Sequence, residues 1–205
     1  MKYILLHLVI LPCLIYSSYS FSEGQEFQTK ATQKTIAEVQ KLFEDGNKKY
    51  GIKNLLKKKG ISKKVRGVQY YRYSISEGWP SFPIDELRKK GALPYYVEGD
   101  FDCDGKLDKA LIVESSRQSN SEILIFVSNK NKTIIEKEAP DFILLKKKGK
   151  YKTAKGKGYG SLDDPGPTEF TSNCDFIEGV WSEKSSFALV YDIKNETIIK
   201  YWISD

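Results

Sequence analysis

The run Asp100-Phe101-Asp102-Cys103-Asp104-Gly105-Lys106-Leu107-Asp108 constrains this chain more than any other stretch. Tyr95-Tyr96-Val97 precedes it and Ala110-Leu111-Ile112-Val113 follows, and both flanks read as strand. The chain must therefore pass from strand through a tight acidic loop into strand. Carboxylates at alternate positions converge, and they repel one another unless a cation lies between them. Calcium takes six to eight oxygens at about 2.3–2.6 Å, drawn from alternate side chains and a backbone carbonyl, with a glycine at the bend. The spacing predicts Asp100, Asp102, Asp104 and Asp108 as Ca2+ ligands, with Gly105 as the bend and Lys106 offering its carbonyl. The competing expectation is a metal-free turn, because Asp and Gly favour turns in any case. Four acids in register exceed what a turn requires.

An EF-hand would place a bidentate glutamate at the twelfth position, where Leu111 stands, and would need helices on both sides. Instead, Gly99 to Val113 resembles the calcium loop of the FG-GAP repeats of integrin-like and VCBS-type proteins. Those repeats read Gly-Asp-Phe-Asp-Gly-Asp-Gly-X-X-Asp before an apolar strand. The resemblance implies a ligand role for Asp100, Asp102, Asp104 and Asp108, with the carbonyl of Lys106. Cys103 stands where the family has glycine, at a position expected to face away from the ion. FG-GAP repeats build propellers of about four to eight blades, but this chain has one such loop and no second copy. A full propeller is therefore not expected. Together with the leader described next, the loop also resembles small exported bacterial proteins that carry one acidic loop before an apolar strand.

Residues 1–20 are expected to be a signal peptide. Lys2 is followed by an apolar run from Tyr3 to Tyr16 and then by small residues at Ser17, Ser18 and Ser20. The run is shorter than the roughly twenty residues of a membrane span, and Ile10-Leu11-Pro12 before Cys13 is a poor lipobox. The expectation is export to the periplasm or the exterior, with no membrane span after cleavage. His7, the only histidine, would leave with the leader, as would Cys13. Cys103 and Cys174 would then remain as an even pair in an oxidising compartment, where a disulfide is expected. It would tie the acidic loop to the turn at Thr171-Ser172-Asn173-Cys174-Asp175 and bring Asp175 toward the ion. Two separate buried thiols are the alternative.

Loss of the histidine excludes a Ser-His-Asp triad, a Cys-His pair and a histidine-ligated zinc site. Carboxylate pairs such as Asp163-Asp164, or Glu98 with Asp100, leave a hydrolase as the weakest expectation. The net charge of +6 is carried in lysine clusters at Lys57-Lys58-Lys59, at Lys63-Lys64-Arg66 and from Lys146 to Lys157. Such clusters suit an anionic envelope component or a protein partner, or simply a solvated face. Lysine outnumbers arginine and no stacking motif is interleaved, so nucleic acid is not expected. Asn131-Lys132-Thr133 and Asn195-Glu196-Thr197 are glycosylation sequons that matter only in a eukaryotic host.

The expected fold is α+β, a single domain with a mostly antiparallel sheet and two or three helices. Residues 21–64 read as a helical extension and residues 65–205 as the α+β domain carrying the loop. A helix is expected from Thr35, where Thr35-Ile36-Ala37-Glu38 fits a capping box, to Gly46. A shorter helix is expected within Tyr50–Gly60, a strand over Val65–Ser74, and a helix over Pro83–Gly91. Strands follow at Lys109–Ser115, Ile123–Ser128, Thr133–Lys137 and Phe142–Lys146, then a long loop from Gly156 to Asn173. A closing hairpin pairs Phe187–Ile193 with Thr197–Ile203. The function expected is an exported, calcium-binding, non-enzymatic binding or stabilising module. The alternative is an inhibitor or immunity-type protein that blocks an envelope enzyme through the 156–173 loop.

Overall fold

The computed structural model describes residues 30–76, 84–114, 121–159, 166–182 and 185–204. The expected leader, residues 21–29 and 77–83, and the Asp163-Asp164 pair lie outside those residues. The described chain holds four helices and eleven strands in open antiparallel sheets, with no closed barrel or propeller among the described residues, so the fold is α+β.

Helix α1 (Lys30–Lys49) buries Val39 and Phe43, one turn apart. It starts before Thr35 and runs past Gly46, so neither expected boundary holds. Gly46 is a point of close packing rather than a stop: a Cβ there would lie 2.7 Å from Leu93 Cδ2. Helix α2 (Ile52–Lys58) turns Ile52 and Leu56 inward.

The strand expected over Val65–Ser74 is largely a helix. Strand β1 covers only Lys64–Val65, and α3 spans Val68–Ser76. Val68, Tyr71 and Ile75 are buried at helical spacing while Tyr70 and Arg72 face outward. The rings of Phe43 and Tyr71 meet edge to face at 5.8 Å, so packing against α1 overrides the strand preference of valine and tyrosine. Helix α4 (Ile84–Lys90) leads into the first full strand.

Strands β2 (Tyr96–Gly99), β3 (Asp108–Glu114), β4 (Ser121–Val127) and β5 (Lys132–Glu136) form the first sheet. Both β1 and β2 pair with β3, β1 near its end and β2 near its start. The second sheet runs β11-β10-β9-β6, with β6 at Phe142–Lys146, β9 at Phe176–Trp181, β10 at Ser185–Asp192 and β11 at Thr197–Ser204. Along β10, Phe187, Leu189 and Tyr191 join the main core, while Ala188 joins a second cluster with Phe170, Phe176 and Ile203. Burial of both faces explains why Phe187–Tyr191 is an unbroken apolar run.

The second cluster is closed by a ribbon of β7 (Gly149–Lys152) and β8 (Glu169–Ser172). The loop expected from Gly156 to Asn173 therefore ends in a strand. Thr153 N–H donates to the Thr168 carbonyl at 3.1 Å and its hydroxyl to the Pro167 carbonyl at 2.6 Å. Gly156 makes this approach possible, because a Cβ there would lie 1.8 Å from the Thr168 oxygen.

The two large sheets meet along two seams. At one, Ile143 N–H donates to the Pro94 carbonyl at 2.8 Å, and Asp175 N–H to the Asp100 carbonyl at 3.0 Å. At the other, Lys200 reaches Glu138 at 2.8 Å and Glu136 at 3.4 Å, its ammonium 4.4 Å from the Phe187 ring centre. Arg66 pins α3 to the second sheet. It is buried, donates to the carbonyls of Pro140 and Asp141, and lies 3.6 Å from the Tyr70 ring centre. The Asp141 carboxylate in turn accepts from Tyr70 Oη and from Ser182 N–H.

Candidate metal centre

The β2–β3 connection is short because Gly99 and Asp108 sit opposite each other in the ladder. Gly99 is required by its surroundings: a Cβ would lie 2.5 Å from Leu145 Cδ1 and 2.9 Å from Phe101 Cε1. Phe101 is buried and anchors the loop from below. The acids on either side of it are thereby turned to a common side.

Oxygens of Asp100, Asp102 and Asp108 lie within 4.8 Å of one another. Asp102 and Asp108 are buried, at 6% and 0% exposure, which is unusual for carboxylates without a basic partner. Backbone amides hold them in place. Asp108 accepts from Phe101 N–H at 3.0 Å and from Ser128 N–H at 2.7 Å. Asp100 accepts from Asp104 N–H at 3.0 Å and from Gly105 N–H at 3.1 Å. Asp102 shares the Asp104 N–H at 3.3 Å.

Asp104 lies outside the tight trio but faces the same loop. Its Oδ1 accepts from Lys106 N–H at 2.8 Å, while its Oδ2 is buried with no hydrogen-bond partner. An orphaned carboxylate oxygen beside three converging carboxylates is costly unless something positive meets it. The Lys106 side chain is not that group; its ammonium lies 3.5 Å from Asn129 Oδ1.

Burial raises the pKa of Asp102, and the neighbouring charges of Asp104 and Asp100 add to the effect. Burial likewise raises Asp108, against the lowering effect of its two amide donors. Both shifts report a site in which negative charge is uncomfortable on its own. The donor set is entirely oxygen and fits a hard divalent cation rather than zinc or copper.

Cys103 and Cys174 are bonded, with Cα atoms 5.1 Å apart. Cys103 adopts φ 61°, the left-handed conformation that explains why glycine would be the ordinary residue here. Asp175 arrives beside the loop as expected, accepting from Asp100 N–H at 3.3 Å. Its carboxylate is engaged by Lys147 at 2.9 Å, and it stands outside the Asp100–Asp102–Asp108 group. Ser128 holds the loop twice, by its backbone amide on Asp108 and by its hydroxyl donating to the Leu107 carbonyl at 2.8 Å, from a position beyond β4 that the loop's own sequence does not mark. Glu98 is held by the Tyr96 hydroxyl at 2.6 Å and by Lys109 at 3.1 Å.

No protein-family model, curated protein or solved structure matches this chain. No helix among the described residues is long and apolar enough to cross a membrane.

Proposed function

We propose that this chain is an exported, non-enzymatic binding module whose β2–β3 loop is organised by a calcium ion. The observation that carries the reading is the convergence of Asp100, Asp102 and Asp108 beside the orphaned Oδ2 of Asp104. Those four residues and the Lys106 carbonyl would hold the ion, supplying the oxygen-rich shell that calcium prefers. The ion would neutralise the buried charge of Asp102 and Asp108 and fix the ends of β2 and β3. The Cys103–Cys174 bond supports export, because such bonds persist in oxidising compartments.

The role proposed for the cation is structural. Backbone amides bond both oxygens of Asp100 and of Asp108 and one oxygen each of Asp102 and Asp104, and the loop lies where the two sheets join. Calorimetric titration of chelator-treated protein with calcium tests the reading. One site per chain is expected, with magnesium binding more weakly because it demands a tighter octahedral shell. Absence of calcium binding at millimolar concentration would refute it.

A further inference from the structure

Lys57 of one lysine cluster and Lys63 and Lys64 of the next meet Lys53 around one groove. Between α2 and β1 lies a cavity of about 780 Å³, within the range of small-molecule sites. Ile52, Leu56, Ile61 and Val65 line it, and all four belong to or pack on the main core. Lys53, Lys57, Lys63 and Lys64 also line it, and no carboxylate does. Lys63 is paired with Glu122. Among the described residues, no carboxylate pairs with Lys53, Lys57 or Lys64, and all three side chains are exposed.

We propose that this groove binds an anionic lipid, with hydrocarbon on the apolar floor and a phosphate-bearing headgroup against Lys53, Lys57 and Lys64. Cations alone would suit any polyanion. Here they are joined to an apolar floor, and lysine stems themselves extend that apolar surface up to the charged heads. An amphiphile satisfies both parts at once, whereas an acidic peptide would leave the floor uncovered. The inference is independent of the metal centre, since no residue is shared between the two.

The test uses vesicles of equimolar phosphatidylglycerol and phosphatidylcholine, with phosphatidylcholine alone as the neutral comparison. Binding only to the anionic vesicles is expected. Each lysine near an anionic surface contributes roughly fivefold, so Lys53→Gln, Lys57→Gln and Lys64→Gln together should weaken binding about 100-fold. A second triple variant, Lys137→Gln with Lys148→Gln and Lys152→Gln, removes equal charge outside the groove and should retain most of the affinity. Soluble dihexanoyl phosphatidylglycerol, below its micellar concentration, should shift amide resonances within residues 52–65, and glycerol phosphate should do so far less. Equal loss in both triple variants would reduce the effect to net charge and overturn the proposal. No preference for anionic vesicles would overturn it as well. Binding of polyglutamate without response to the short-chain lipid would assign the groove to an acidic protein instead.

Discussion

Cys103 and Cys174 lie 71 residues apart in sequence, yet their bond ties the centre of the acidic loop to the turn entering β9. Asp102 and Asp104 flank one sulfur and Asp175 the other, so the crosslink runs through the candidate metal centre. It also holds Cys103 in a left-handed conformation that a non-glycine residue seldom adopts. Removing the bond with Cys103→Ser and Cys174→Ser should lower stability by roughly 2–5 kcal/mol, as for a native disulfide closing a long loop. The same change should weaken calcium, because the loop would have to be ordered on binding. Denaturant unfolding and calorimetry of the oxidised protein and the double variant check both effects.

Two glycines separate close approach from mere flexibility. Gly156→Ala would drive a methyl into the Thr168 carbonyl, and should loosen the β7–β8 ribbon at a cost of about 2 kcal/mol or more. Gly67→Ala meets nothing within 4 Å and should be close to neutral. Parallel thermal melts decide this.

Arg66→Met removes the donor to the Pro140 and Asp141 carbonyls from a buried position. The Pro140 carbonyl loses its donor while the Asp141 carbonyl keeps the Tyr71 hydroxyl at 3.0 Å, so the protein should be destabilised by about 2 kcal/mol. Because Arg66 bridges α3 and the start of β6, hydrogen exchange should accelerate in both elements together. Acceleration in α3 alone would show that the bridge carries no coupling.

The pH dependence follows from Asp102 and Asp108, whose folded pKa values are raised mainly by burial. For an acid so shifted, the folded state holds its proton more tightly than the unfolded state. Stability from these two groups is complete below the ordinary aspartate value of about 4 and is lost as pH rises through the raised folded values. Chelator-treated protein should therefore gain this increment on mild acidification, whereas calcium affinity should fall because protons compete for the same oxygens. Melts across mildly acidic pH, with and without calcium, should show opposite trends.

The acidic loop and its flanking strands were legible because alternation of charge and a β-type apolar run are both local signals. The hairpin that closes the chain was readable for the same reason, and β10 shows its two-sided burial as an unbroken apolar run. Helix α3 is not legible in the sequence because its composition, rich in valine and tyrosine, favours strand, while its burial at Val68, Tyr71 and Ile75 obeys helical spacing set by contact with α1. Gly46 looked like a helix stop because its packing partner, Leu93, is remote in sequence. Strands β7 and β8 are short and offer too few apolar residues to stand out among lysines and glycines. At the site, the acids could be read but their holders could not, since Asp108 is held by the backbone amides of Phe101 and Ser128, and Ser128 lies beyond β4, remote from the loop in sequence.

The most direct test of the calcium reading is a thermal melt of the wild-type protein and Asp102→Asn, each with millimolar calcium and with chelator. At a calcium concentration about 100 times Kd, binding adds about 2.7 kcal/mol, or roughly 5–10 °C for a chain of this size. Wild-type protein should show that rise. Asp102→Asn, which removes a buried charge while keeping its shape, should melt no lower than wild type in chelator and should lose the calcium response. A calcium response that survives in Asp102→Asn, or none in wild type, would contradict the account and leave the Asp100–Asp108 segment as a hydrogen-bonded turn.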